Sequence, residues 1–282
     1  MYNYIMFYQE IDFIEGFIHL IKECNEIVLN IYNTDFEVDY KEDESPLTIA
    51  DKLCNEHICS YLEKLNQQLM ENCLVEKDNI LIISEENKNL DYEFRKYKKW
   101  CWLVDPIDGT KEFVKKNGEF TVNIGLVEDS IPVFGIVSIP VTGEIYYGIE
   151  GDGSYKTTSK GMGNYKIHHS NTTELKINAD KNFDDKNVRI VASSSHLNKE
   201  TQDFIDKFDE PIIISTGSSI KLLFIAEDKA DIYPRIAPTS EWDTCAAHAI
   251  INCAGGFVLN CDNLTELTYN KENLLNPNFI VL

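Results

Sequence analysis

Three apolar runs, residues 120–127, 132–139 and 144–149, follow one another with only Glu128-Asp129-Ser130 and Val141-Thr142-Gly143 to turn the chain. Reversals this short make hairpins, so the middle of the protein must be an antiparallel meander. Its flanks read differently. Ile14, Phe17, Ile18, Ile21, Cys24, Val28 and Ile31 recur at three- and four-residue intervals, which predicts an amphipathic helix over 11–32. A second helix opens at Pro46 and Thr48 and runs to about 70, with Leu53, His57, Ile58, Tyr61, Leu62 and Leu65 on one side. Short apolar runs at 79–84 and 100–104 have strand length. After about residue 186, strand patterns at 188–192, 212–215, 230–233 and 257–259 alternate with helical ones at 198–208, 218–228 and 242–254. Such alternation calls for layered α/β packing. The expected organisation is an α+β half over 1–150 and an α/β half over 151–282, packed closely, because no linker composition separates them. Residues 152–187 carry no pattern that places them.

Composition bounds the partners. The 282 residues hold 26 Lys and Arg against 47 Asp and Glu, a net charge of −21. That surface is wrong for coating nucleic acid or binding an anionic membrane. An anionic small substrate is still allowed, provided local side chains or bound metal supply positive charge. No apolar stretch is long enough to span a bilayer, and Glu10, Asp12 and Glu15 break the opening too early for a signal peptide. None of the eight cysteines forms a C-x-x-C pair, so they are read as buried, reduced thiols of a cytoplasmic protein.

The chemistry concentrates in Asp105-Pro106-Ile107-Asp108-Gly109-Thr110. An apolar strand delivers Asp105 to its end, and a dense cluster of turn residues follows. Pro106 stiffens the turn, Asp108 can face the same volume as Asp105, and Gly109 permits close backbone approach to an anion. Two rigid carboxylates with the Ile107 carbonyl between them form the hard-oxygen set that Mg²⁺ prefers. A plain proline turn would give the same string. Glu85 also ends an apolar strand, 20 residues earlier, and neighbouring strands ending on one side would bring it beside Asp105; the alternative is a solvated loop. Asp243 falls in the first turn of a helix, where an anion is favoured whether or not it binds anything. Carboxylates gathered at about 4 Å repel by roughly 4 kcal/mol per pair at an effective dielectric of 20, so convergence without a cation is costly and bound divalent metal relieves it.

These motifs have a familiar order. Ser84-Glu85-Glu86, Trp102 through Thr110, and Trp242-Asp243 followed by Ala246 resemble the inositol monophosphatase superfamily of Mg²⁺-dependent, lithium-sensitive phosphatases. The stretches from Ser45 to Asp51, Gly109 to Phe113, Asn117 to Ile124, Thr216 to Lys221, Tyr233 to Arg235 and Leu275 to Phe279 are similar to one branch, the bacterial CysQ-type 3′(2′),5′-bisphosphate nucleotidases. Simple inositol monophosphatases usually carry Thr-Asn-Phe where this chain has Lys111-Glu112-Phe113.

The resemblance implies the layered αβαβα sandwich of the sugar phosphatases and removal of the 3′-phosphate from adenosine 3′,5′-bisphosphate, within sulfur metabolism. It implies two or three Mg²⁺ ions on Glu85, Asp105, the Ile107 carbonyl, Asp108 and Asp243. It pairs Thr110 with Asp51 to activate water, although Thr48-x-x-Asp51 also fits a helix capping box. Backbone N–H groups of Gly109 and Thr110 would hold phosphate oxygens, and His196, Ser218, Lys221 and Arg235 would meet the nucleotide. His57, His168, His169 and His248 match no ligand pattern and are read as structural or exposed. Hydrolysis of inositol phosphates and non-catalytic nucleotide sensing are the competing readings. The partner is a phosphorylated small molecule, with no nucleic acid and no membrane, and the chain is a monomer or a homodimer.

Overall fold

A computed structural model describes residues 6–40, 46–87, 90–159, 172–178, 180–184, 186–193 and 198–282. Two long helices open the chain, α1 (Ile11–Tyr32) and α2 (Ile49–Glu71), bridged by a small hairpin of β1 (Val38–Tyr40) and β2 (Pro46–Thr48). The inward stripe of α2 runs through Ala50, Cys54, Ile58, Leu62 and Leu69, whereas Leu53 is 42% exposed. The expected side holds at Ile58 and Leu62, with Tyr61 and Leu65 packed against the core, and fails at Leu53. Polar residues hold inward places on this helix: Asp51, Asn55 and Asn66 are all buried, and each has a partner. A pattern that counts only apolar residues rotates the helix away from them.

The meander grows into a seven-stranded sheet in sequential order: β3 (Ile80–Ser84), β4 (Trp100–Asp108), β5 (Thr121–Glu128), β6 (Ile131–Ile139), β7 (Glu144–Ile149), β8 (Gly153–Thr158) and β9 (Thr173–Glu174). Only the β3–β4 pair is parallel. The last two strands lie in the stretch that the sequence pattern left unplaced. A second sheet combines β10 (Arg189–Ser193) and its parallel partner β11 (Ile212–Thr216) with β12 (Tyr233–Arg235), β14 (Phe279–Val281) and β13 (Val258–Asn260), through a bridge from Ile190 to Ile232.

Helices fill the layers between and outside the sheets; a one-turn helix, α3 (Tyr92–Arg95), precedes β4. α1 and α2 bury one face of the large sheet under a core that includes Phe17, Ile21, Ile58, Trp102 and Phe134. On the other face lie α6 (Ile220–Ala226) and α7 (Glu241–Cys253), in a core shared with the second sheet. α5 (Lys199–Ile205) supplies Ile205 to a third, smaller core with Val188, Ile190, Ala192 and Ile232. The order is helix, sheet, helix, sheet, helix, the layered sandwich anticipated from the motifs.

α7 sits unusually deep. Gly125, Gly135 and Gly148 are cross-strand partners on β5, β6 and β7. A Cβ on Gly125 would lie 2.9 Å from the Ala246 nitrogen, and one on Gly148 would lie 2.7 Å from Ile250 Cα. On Gly135 it would collide with the Ala246 carbonyl. The helix therefore rests on bare strand backbone, and its own Ala246, Ala247 and Ala249 are buried in return.

Candidate active site

Parallel pairing of β3 and β4 aligns Ser84 with Val104, so Glu85 and Asp105 leave the pair at the same level. β4 does not turn there. It continues through Asp108, and between Asp105 and Asp108 it spends one more residue than β5 does between Asn123 and Thr121. The expected turn is a bulged strand, a place where proline is tolerated because a ladder bond is already missing. The bulge curls the backbone, and Ile107 N–H donates to Asp105 Oδ1 at 3.0 Å. The chain leaves the sheet at Gly109, whose φ of +91° is left-handed, and starts α4 (Thr110–Val114).

The C-terminal elements close over this edge and enclose a cleft of about 400 Å³. It is lined by Glu85, Asp105, Ile107, Asp108, Gly109 and Thr110 from one side. Ser218, Lys221, Arg235 and Asp243 line the other. Asp243 lies in the first turn of α7 and accepts Ser240 N–H at 2.8 Å through Oδ2. Asp108 Oδ2 accepts both Ser218 Oγ–H and Ser219 N–H at 2.6 Å, tying the two sides together. Behind them, Thr121 Oγ1 lies 2.6 Å from Ser218 Oγ and 2.7 Å from Ser219 Oγ. Lys221 is buried with its ammonium 5.9 Å from the Tyr233 ring centre. Burial pulls its pKa down to about 8, although Asp108 favours its charge. Arg235 donates to the Pro238 carbonyl at 3.0 Å, while its Nε is buried with no partner among the described residues.

Asp51 stands behind the cleft wall. Its Oδ2 accepts Thr48 N–H at 2.8 Å and Thr48 Oγ–H at 2.6 Å, which completes a capping box at the start of α2. Its Oδ1 lies 3.3 Å from Thr110 Oγ1, which is also 3.2 Å from the Ile107 carbonyl. The helix-capping role and the contact with Thr110 coexist on one carboxylate. Burial pushes this carboxyl up to about 6; the bonds from Thr48 pull it down, and Glu86 and Glu85 add to the rise.

The remaining carboxylates repel one another. Asp105 is pushed well above the usual range by burial, then by Glu85, Asp108, Asp243 and Asp51. Asp243 is raised in the same way, by burial and then by Asp108. Among the described residues, no three acidic, histidine or cysteine side chains already close tightly enough to hold an ion as they stand. The hydrogen bonds explain why: Asp105, Asp108 and Asp243 each turn one oxygen to a local donor. The opposite oxygen of each is not used by those bonds. A hard-oxygen set whose members hold each other's charge in check has the donor chemistry that a divalent cation takes.

His196 lies outside the described residues, as do His168 and His169. His57 contacts Glu23, and His248 is fully buried between Tyr269 and Glu266, and neither lines the cleft. Among the cysteines, Cys24, Cys54, Cys101 and Cys245 are buried, while Cys73 and Cys261 are exposed; all eight are unpaired. The uniform burial expected for them fails because 73 and 261 sit in loops beyond the last turn of α2 and the end of β13. Ser219 and Tyr233 lie in motif stretches but carry no role of their own in the sequence, and the Asn55–Ser84 contact is not legible there at all. Ser219 had a signal, the Thr216-Gly217-Ser218-Ser219 run, whereas Asn55 had none.

The inositol monophosphatase family model matches residues 10–279. The chain belongs to this family. It is 34% identical over 270 residues to the 3′(2′),5′-bisphosphate nucleotidase CysQ of Salmonella typhimurium, covering 95% of this chain and 98% of that one. The CysQ nucleotidase of Buchnera aphidicola is 35% identical over 266 residues, covering 92% and 89%. Among solved structures, CysQ from Bacteroides thetaiotaomicron, described as a bacterial member of the family, superposes with a TM-score of 0.78 at 39% identity, covering 94% of this chain and 95% of that one. No helix among the described residues is long and apolar enough to cross a membrane.

Proposed function

We propose that this cleft hydrolyses the 3′-phosphate of adenosine 3′,5′-bisphosphate, giving AMP and inorganic phosphate. One observation carries the reading: the cleft has two chemically opposite ends. Glu85, Asp105 and Asp108 gather on the β3–β4 side, and two cations, the buried Lys221 and the half-buried Arg235, face them from α6 and β12. A monophosphate needs only the first end. A substrate with a second phosphate uses both, since cations with spare donors suit a phosphate that is held but not cleaved. The relatives' name and the Lys111-Glu112-Phe113 marker support the same substrate class.

Glu85, Asp105, the Ile107 carbonyl, Asp108 and Asp243 would hold Mg²⁺, two ions in this reading. When bound, Mg²⁺ supplies Lewis-acid polarisation of the phosphate and a more acidic water. The chain's own residues do the rest. Thr110 Oγ1 orients the attacking water and passes hydrogen-bond demand to Asp51, which accepts the proton. Gly109 and Thr110 N–H groups hold phosphate oxygens at the start of α4. Ser218 and Ser219 keep Asp108 turned into the cleft. Eight unpaired thiols fit a reducing compartment, and the cytoplasm is the assigned place of action.

The test is phosphate release from adenosine 3′,5′-bisphosphate, 3′-AMP and inositol 1-phosphate, with Mg²⁺ and with EDTA. The expected result is Mg²⁺-dependent release with the highest kcat/KM on the bisphosphate, inhibited by Li⁺. A preference for inositol 1-phosphate, or release that ignores EDTA, overturns the reading.

A further inference from the structure

We infer that Asn55, on α2, is a positioning residue that fixes the direction of Glu85 through Ser84. The inference rests on the metal reading above. Glu85 opens a single 3₁₀ turn (Glu85–Asn87) at the end of β3, an edge strand with one neighbour, so the direction of its side chain follows from how that turn is held. The last residue of that strand, Ser84, is fully buried, and its hydroxyl donates to Asn55 Oδ1 at 2.5 Å. The same hydroxyl oxygen accepts Glu86 N–H at 3.3 Å. Asn55 is itself buried, 6% exposed, and its Oδ1 also receives Cys59 Sγ–H at 3.5 Å. A continuous line of bonds thus runs from the helix carboxamide through the serine to the amide that follows Glu85.

The helix end of that line is rigid. Asn55 lies one turn beyond Asp51, on the same inward face of α2, and Asp51 is locked by its capping box and reaches Thr110. One helix face therefore sets both the proposed water-activating pair and the first proposed metal ligand. Buried hydroxyls that lose their acceptor turn to another, and the turn they support shifts with them. Partners behind a metal ligand are worth about 10- to 100-fold in metal affinity.

Two variants and a rescue test this. Asn55→Leu removes the acceptor while keeping the branched outline of the side chain. Ser84→Ala removes the donor with the least disturbance and serves if Asn55→Leu does not fold. Asn55→Asp keeps an acceptor in place. Mg²⁺ binding is read by calorimetry and by the Mg²⁺-induced shift in thermal midpoint, beside the Mg²⁺ dependence of phosphate release. The expected result is a weakening of Mg²⁺ binding by about tenfold or more in Asn55→Leu and Ser84→Ala. Their double variant should be no worse than either alone, kcat at saturating Mg²⁺ should hold, and Asn55→Asp should stay near the wild type. An unchanged Mg²⁺ midpoint, additive single effects, or a fall in kcat without a fall in Mg²⁺ affinity overturns the inference alone. Absence of Mg²⁺ uptake by the wild type overturns the metal reading and this inference together.

Discussion

Replacing Asp51 with Asn separates its two jobs. The carboxylate accepts twice from Thr48 through Oδ2 and once from Thr110 through Oδ1. An amide keeps one accepting oxygen, and the two Thr48 donors claim it. Its NH₂ group then faces Thr110 Oγ1, whose proton turns to the Ile107 carbonyl at 3.2 Å. No acceptor is left for the proton of the attacking water, so kcat should fall about 10²- to 10⁴-fold, the usual worth of a general base. Stability should move the other way. With its carboxyl raised from 3.8 to about 6, Asp51 stabilises the fold fully only below its unfolded pKa, and that contribution is lost as pH rises through 6. The gap is worth about 3 kcal/mol at pH 8 before the altered hydrogen bonds are counted. Metal-free Asp51→Asn should therefore melt no lower than the wild type at pH 8. In wild-type kcat against pH, an acid limb should lie at or just under 6, because Mg²⁺ near Glu85 cancels part of the rise. Phosphate release from pH 4.5 to 9 at saturating Mg²⁺ and substrate, with calorimetry of EDTA-treated protein, measures both. A variant that keeps the limb and stays within tenfold of wild-type kcat would refute the assignment of Asp51 as base.

Asp105→Asn should abolish phosphate release and also remove the Mg²⁺-induced rise in thermal midpoint, because a group that binds only the folded state stabilises it; a retained rise would place the ion elsewhere. Thr110→Ala should cut kcat at least about 100-fold with little change in KM, and a pure KM effect would reassign it to binding. Lys221→Met should raise KM for adenosine 3′,5′-bisphosphate about 10- to 100-fold, and that for 3′-AMP much less, the loss of one charged hydrogen bond. With its ammonium titrating at about 8, wild-type KM for the bisphosphate should climb above that pH, and a KM flat to pH 9.5 would remove Lys221 from the second-phosphate site.

Much of the site is legible because it hangs on strand ends. The apolar runs that stop at Glu85 and Asp105 say where each side chain emerges, and one parallel pairing then puts them level. Asp243 follows from a helix start. The bulge is harder: Asp105-Pro106-Ile107-Asp108 has a turn's composition, and only pairing with Asn123 and Thr121 keeps it in the sheet. Polar residues facing inward on α2 mislead any reading that equates inside with apolar. Asn55 and Asn66 are satisfied by partners 29 and 36 residues away, Ser84 and Trp102, and Asp51 adds Thr110, 59 residues away, to its local bonds from Thr48. Ser218 and Ser219 come to Asp108 from the other half of the chain, a contact that no local pattern announces.

Because α7 meets bare strand backbone at Gly125, Gly135 and Gly148, no sheet side chain stands between helix and sheet along this row to compress or refill. The helix sits on a hard stop, so the height of Asp243 above β4 is inherited from the sheet's own shape. Ordinary core substitutions, which shift a helix by trading one side-chain volume for another, have nothing to trade along this row. Even one methyl group would lift the helix and carry Asp243 away from Asp105 and Asp108. Randomising those three positions and selecting for activity should return glycine at each, although none of the three lines the cleft.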